Sequence, residues 1–363
     1  MAFRKIGFIG LGLIGGSIAL KCKENNPTVK IYATAHHLET ITAAHEMGLI
    51  ENDHLLSLSD FSDCDYLFLC APVQKNIEYL RSLKTIIKPS CMITDVGSTK
   101  SEIHKEVTAL ELESNFIGGH PMTGSEKTGI LSASSSILEN AYYIITPTAK
   151  STKEQVEEFR SFVSSLGSIP MILDYEAHDF ATGSISHLPH MIAFSLVNLV
   201  KKLDDENETM KTIAAGGFKD ITRIASSSPV MWQNICASNK DKILSLMDSY
   251  ISELQLLRHM IELEDSALLT EYFQSAKDYR DSFSLTNKRS LVYEIYLDLD
   301  DEAGAIATIA TILATESISI KNIGLIHNRE FEEGVLHIEF YDEDAMHLAE
   351  KLLLEKNYVI HKR

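Results

Sequence analysis

The sequence predicts an α/β protein in three parts: a doubly wound, mostly parallel sheet, an all-α middle, and a small βαββαβ module at the end. Three observations carry that prediction. A buried-strand pattern at the N-terminus runs directly into a glycine-rich turn and a helix. Short apolar runs then alternate with helical stretches, the mark of a mostly parallel sheet, until about Asp174, after which only helices follow. Beyond a polar break at Leu285 to Arg289, strand and helix patterns recur in ferredoxin-like order. A chain of 363 residues has room for two or three domains, and the boundaries fall at 1–173, 174–285 and 290–363.

The first strand is Arg4 to Ile9, followed at once by Gly10-Leu11-Gly12-Leu13-Ile14-Gly15-Gly16-Ser17. Gly10, Gly12 and Gly15 fit G-x-G-x-x-G, and Ile14 to Lys23 continues as a helix. Placed between strand and helix, the motif is the dinucleotide-binding turn of a Rossmann domain: two glycines let a pyrophosphate approach, the third lets the helix pack on the strand, and the N-terminal residues Leu13 and Ile14 face the anion. A glycine-rich turn without a ligand is the plainer alternative. Val29 to Thr34 is the second strand. It ends in Ala35-His36-His37, with neither the acid that would accept the ribose hydroxyls nor an arginine for a 2′-phosphate. His36 and His37 read as solvated.

Further strands lie at Tyr66 to Ala71, Met92 to Thr94, Phe116-Ile117 and Tyr142 to Ile145, with helices at Lys75 to Ile87 and Lys100 to Leu110. Ligands of such sheets bind beyond the carboxyl ends of the strands. Three loops lie there: one at Ala71, one from Asp95 through Ser98 to Lys100, and Gly118 to Lys127. The last holds His120 between two glycines and Pro121, followed by Thr123, Ser125, Glu126 and Lys127. It is either a turn with a surface histidine or a device for aiming an imidazole.

The middle segment opens its main helix at Ser186-His187-Leu188-Pro189-His190 and runs to Leu203, with Pro189 tolerated in a first turn. Ala214 to Trp232 follows, then long helices at Asp241 to Glu264 and Ala267 to Asp281. Their apolar faces call for something to bury against, such as a partner subunit. The tail reads as strand 291–299, helix 303–314, strands 317–326 and 334–341, helix 344–354 and strand 358–361.

A net charge of −18 argues against a nucleic-acid surface and requires any anionic substrate to be held by local cations. Five dispersed cysteines without C-x-x-C spacing suggest reduced thiols. With no apolar run of 18 residues and no leader pattern, a cytoplasmic setting and no membrane span are expected.

Five blocks together resemble the prephenate dehydrogenase family: Gly10 to Ser17, Thr94 to Lys100, Gly119 to Ser125, Ser186 to His190, and Ala214 to Trp232. The resemblance runs from about residue 4 to 283, and the tail, with Asp301 to Ala305 and Ser317 to Ile320, looks like an ACT domain. It implies an NAD-dependent oxidoreductase: hydride leaves C4 of prephenate, CO2 departs, and the ring aromatises to 4-hydroxyphenylpyruvate on the route to L-tyrosine.

 In this resemblance His120 takes the hydroxyl proton, a task suited to a neutral imidazole, and Ser98, between it and the cofactor, orients it. Gly10, Gly12, Leu13, Ile14, Gly15, Ala71 and Ser98 hold the cofactor. Arg223 binds a substrate carboxylate, His190 reaches the pyruvyl side chain, and Ser125 and Glu126 line the pocket. Asp220 holds Arg223, and Asp179, Gly216 and Trp232 are weaker matches. No metal is needed, because aromatisation drives the reaction.

The residues alone leave plainer readings open. Arg223 is otherwise an exposed helix cation paired with Asp220 at i,i+3, His190 a first-turn or core histidine, Trp232 a core residue, and Lys219 and Lys127 solvated charges. The resemblance further implies a homodimer and an aromatic amino acid, L-tyrosine by pathway logic, as effector of the tail. The competing functions are an arogenate dehydrogenase using NAD or NADP, a non-catalytic amino-acid sensor with a residual Rossmann domain, and a metal hydrolase built on His178, Asp179, His187 and His190.

Overall fold

The computed structural model describes residues 5–124, 127–286, 293–299, 304–326 and 334–361. The chain forms two compact units, Met1–Leu254 and Gln255–Arg363.

The first unit opens with β1 (Lys5–Ile9), α1 (Leu13–Asn25), β2 (Lys30–Thr34), α2 (Leu38–Glu46), β3 (Tyr66–Leu69), α3 (Val73–Leu83), β4 (Met92–Asp95) and α4 (Ser101–Ala109). The four strands pair in parallel in the order β2-β1-β3-β4. Side chains of successive strand residues point to opposite faces, and both faces are covered. Phe8, Ile31 and Phe68 join α1 in one buried cluster, while Ile9, Leu67, Leu69 and Ile93 join α3 and α4 in another. This is the doubly wound arrangement expected from the alternation of strands and helices.

The sheet is extended by β5 (Ile117–Pro121), β6 (Tyr142–Pro147) and, after α5 (Lys153–Ser165), by β7 (Ile169–Ile172). A parallel bridge between Ile93 and Phe116 joins this part to β4. β6 runs antiparallel to β5 and parallel to β7. Two features differ from the sequence reading. β7 contains Pro170, which argues against a strand; it is tolerated because β7 lies at the edge of its sheet. Also, β5 does not stop at Ile117 but runs through both glycines to Pro121, so His120 stands on a strand and not in a loop. The glycines serve close packing. A Cβ at Gly118 would lie 2.2 Å from Thr146 Oγ1, and one at Gly119 would lie 2.8 Å from both the Asp95 carbonyl oxygen and the Tyr143 hydroxyl.

Helices follow from Asp174, whose carboxylate accepts from the backbone N–H groups of Glu176 and Ala177 and so caps α6 (Tyr175–Thr182). A π-helical turn at Gly183–His187 leads into α7 (Leu188–Leu203), with Pro189 in its first turn. Then come α8 (Thr209–Ile213), α9 (Gly216–Thr222), a 3₁₀ turn at Arg223–Ser226, α10 (Pro229–Ser238) and α11 (Lys240–Glu262). The boundary between the compact units falls within α11, so that α12 (Ser266–Thr286) groups with the tail.

The tail contains β8 (Tyr293–Leu299), α13 (Ala305–Thr315), β9 (Ile320–Ile326), β10 (Gly334–Phe340), α14 (Glu343–Glu355) and β11 (Ile360–His361). Its sheet is antiparallel in the order β11-β8-β10-β9. That is the ferredoxin-like arrangement the sequence predicts. Alternate residues Ile295, Leu297 and Leu299 turn toward Ile309, Leu313 and Leu353 on the two helices.

Candidate active site

The glycine turn lies at the carboxyl end of β1, where neighbouring strands β2 and β3 diverge in chain order. Gly10 adopts φ +92°, and a Cβ there would lie 2.9 Å from the Ala71 nitrogen. Gly15 is closed off in the same way, 2.8 Å from the Gly10 carbonyl oxygen. Gly12 is different: a Cβ built on it meets nothing within 4 Å. The turn is therefore tight beneath and open above, beside the first N–H groups of α1, with no acidic residue in that helix's first turn. This fits the pyrophosphate of a dinucleotide, with Leu13 and Ile14 at the helix N-terminus and Ala71 alongside. Ala35 packs against the core after β2, and His36 and His37 are exposed, as expected.

Beyond the ends of β4 and β5 a cavity of ≈ 420 Å³ is lined by Ser98, His120, His190, Arg223 and Trp232, among others. The structure thus brings together residues far apart in the chain, from Ser98 to Trp232. Ser98 follows β4 in a turn that Asp95 fixes by accepting the Gly97 N–H at 2.9 Å. The other oxygen of Asp95 takes the Gly119 N–H at 3.3 Å. Asp95 also forms an ion pair with Lys100, both wholly buried. One carboxylate thereby sets the spacing of the Ser98 turn and the His120 strand.

His120 Nδ1 lies 2.8 Å from His178 Nε2, and His178 Nδ1 lies 2.8 Å from Asp179 Oδ1. Burial first, then the neighbouring His178, Lys100 and His187, hold the His120 imidazole well below its usual range, so it is neutral at pH 7. His178, although adjacent in sequence to Asp179, carries no sign of this contact: its partner is 58 residues away on another element. The sequence reading assigned the orientation of His120 to Ser98; the hydrogen bond at Nδ1 is to His178, with Ser98 on the same cavity wall.

The opposite wall is helical. His190 Nδ1 donates to the Ser186 carbonyl oxygen at 2.9 Å, and its ring stacks on Trp232 with centroids 3.9 Å apart. Trp232 is both core and cavity wall: it is buried, clusters with Ile235 and Ile243, and its Nε1 has no hydrogen-bond partner among the described residues. Burial, more than the nearby Arg223, lowers the His190 pKa. Arg223 borders the cavity just after α9, whereas Asp220 and Gly216 lie on α9 itself, outside the residues that line it. Asp220, Lys219 and Lys127 are exposed. Ser125 and Glu126 lie outside the described residues, although Met122, Thr123 and Gly124 before them line the cavity. Among the described residues no three His, Cys, Asp or Glu side chains converge as a metal would require, which leaves the hydrolase reading without a centre.

Comparison with known proteins agrees with this layout. The family model for the prephenate dehydrogenase nucleotide-binding domain matches residues 18–169, and that for the prephenate dehydrogenase dimerization domain matches residues 174–275. The chain is 40% identical to prephenate dehydrogenase of Bacillus subtilis (strain 168) over 348 residues, 95% of this chain and 94% of the relative. A crystal structure of A. aeolicus prephenate dehydrogenase, in complex with hydroxyphenyl propionate and NAD+, superimposes with a TM-score of 0.73 at 30% identity, over 78% of this chain and 99% of that one. A Synechocystis arogenate dehydrogenase structure follows with a TM-score of 0.69 at 29% identity, over 77% and 99%. With both family domains in order and a relative matched along nearly its whole length, this chain belongs to the prephenate dehydrogenase family.

Proposed function

We propose that this protein oxidises and decarboxylates prephenate to 4-hydroxyphenylpyruvate at the cavity between β5 and α7. The observation that carries the reading is the convergence of neutral His120 with Ser98, His190 and Arg223, beside a glycine turn open to a dinucleotide. The cofactor is NAD, which when bound supplies the hydride acceptor. His120 takes the proton of the ring hydroxyl at Nε2 as C4 is oxidised. The bond to the ring carboxylate then breaks, its electron pair enters the ring, and CO2 leaves. His120 returns its proton to the phenol oxygen, so the step consumes none. Arg223 holds a carboxylate, for which a guanidinium is suited by its paired N–H donors. Ser98 sits between imidazole and cofactor, and Gly216 and Asp220 lie on α9, which leads into Arg223.

His190 gives a second substrate a specific foothold. Because its Nδ1 donates to Ser186, the neutral ring offers only an acceptor at Nε2. That suits the ammonium of arogenate, whereas the keto acid of prephenate presents only acceptors and is left to Arg223. NADH formation with prephenate and with arogenate, each with NAD and NADP, tests the assignment. Faster turnover of prephenate with NAD is expected; preference for arogenate would transfer the assignment to that substrate.

The functional unit is a homodimer. Exposed apolar residues on the helical part, such as Ile185 at 70% and Ile213 at 71% exposure, support it, as does the family description of this region as a dimerization domain. The tail acts as an ACT-like module for L-tyrosine, a reading supported by its ferredoxin-like strand order. Tyrosine should inhibit the full chain and not a chain ending at Leu285; inhibition of both would place the effector in the active site. A reducing, cytoplasmic setting suits five cysteines that are all unpaired.

A further inference from the structure

We propose that His178 and Asp179 are positioning residues that fix the tautomer of His120, so that its Nε2 presents a lone pair to the substrate hydroxyl. The inference rests on the reading of His120 as the proton acceptor and adds how the residue is kept in the form that can accept.

The argument follows the protons along the chain of contacts. An ionised carboxylate only accepts hydrogen bonds. Asp179 accepts three: Oδ1 from the Lys100 N–H at 2.7 Å and from His178 Nδ1 at 2.8 Å, and Oδ2 from the Ser101 N–H at 2.7 Å. Burial alone would raise this carboxyl, but the bonds from His178, Ser101 and Lys100 outweigh it and hold it ionised. His178 Nδ1 is therefore the donor. A neutral His178 then has its lone pair on Nε2, and the His120 Nδ1 that lies 2.8 Å away must donate to it. The remaining nitrogen of His120, Nε2, is left unprotonated.

The opposite arrangement would require a cationic His178, and its surroundings disfavour one. His178 is wholly buried. Asp179 faces it from its own helix, while Lys100, before α4, is already paired with Asp95 and repels a second cation. Burial outweighs the Asp179 bond, and the His178 pKa falls below its usual value.

The pair is held from several elements at once. Thr182 Oγ1 donates to the His178 carbonyl at 2.9 Å. Asn239 Nδ2 donates to the Asp179 carbonyl at 2.9 Å and lies 3.1 Å from His187 Nδ1. The Lys100 and Ser101 N–H groups open α4 two and three residues after Ser98, so one segment carries both the cofactor-side serine and the anchor of the histidine pair. When His120 accepts a proton, its Nδ1–H stays bonded to His178, and the Asp179 charge lies at the far end of the chain. When the proton returns to the phenol oxygen, the original tautomer is restored.

The test uses the full-length holoenzyme labelled with [15N]histidine, with the His120 signals identified by their loss in His120→Asn. The resting enzyme should show His120 protonated at Nδ1 and bare at Nε2; a proton on Nε2 would overturn the proposal without any variant at 178. His178→Gln keeps an oxygen that can accept the His120 Nδ1–H, and His178→Leu does not. We expect kcat to fall about 10²-fold in His178→Leu and to stay within about tenfold of wild type in His178→Gln, with KM for prephenate unchanged in both. Equal losses in the two variants, or a raised KM with kcat intact, would contradict it. If His120→Asn itself keeps normal kcat, the failure lies with the base assignment instead.

Discussion

The two walls of the cavity are built differently. On the sheet side, Ser98 and His120 are backed by Asp95, Lys100, His178 and Asp179, all wholly buried and joined by hydrogen bonds or ion pairs. On the helical side, Arg223 follows the seven-residue α9, whose Lys219 and Asp220 are exposed. The difference matches the tasks. Under the proposed function, proton and hydride transfer tolerate little error in position, and there His120 stands on β5 and Ser98 in a turn, both backed by a buried network. Holding a carboxylate that persists through the reaction tolerates more, and under the same proposal Arg223 in the turn after α9 is given that task.

Substitutions should separate the walls by kind of effect as well as size. The largest change in stability is expected from Lys100→Met, which leaves Asp95 buried and unpaired. Breaking such a pair costs about 3–5 kcal/mol, read as a lower urea midpoint with unchanged slope. A midpoint like that of wild type would show that the sheet-side network is not held by this pair. Arg223→Ala should raise KM for prephenate about 10- to 100-fold, the loss of a charge-assisted hydrogen bond, with a much smaller change in kcat. An equal fall in kcat would place Arg223 with the sheet-side residues.

The pH profile is a finer probe. A general base acts when neutral, so activity is present above its pKa and lost as pH falls through it. With His120 held well below 6.5 by burial and by the facing His178, Lys100 and His187, kcat/KM should stay level through pH 7 and fall only well below 6.5. A limb at or above 6.5 would mean that substrate or solvent, not the buried network, sets this pKa. The smallest effect is expected from Lys219→Ala, an exposed charge on α9 outside the residues that line the cavity, with kcat and KM within about twofold of wild type, the scale of an exposed ion pair.

Legibility in the sequence follows the same division. The glycine turn was readable because its residues are contiguous and each has a steric task, as the close contacts at Gly10 and Gly15 and the open space at Gly12 show. The ferredoxin-like tail was readable because its alternating strands have one buried face. His120 stood out by its setting, yet its glycines suggested a loop. Only the packing of Thr146 and Tyr143 against them shows why a strand needs glycine there. His178 could not be found this way, since nothing local links it to a partner 58 residues distant. Nor could the edge position that makes Pro170 acceptable in β7.

The central claim is that His120 accepts the proton as hydride leaves the substrate. Its most direct test is the rate of NADH formation from prephenate by His120→Asn at saturating substrate and NAD. A fall in kcat of about 10²–10⁴, with the fold intact, is the predicted result; a kcat near that of the unaltered protein would contradict the account.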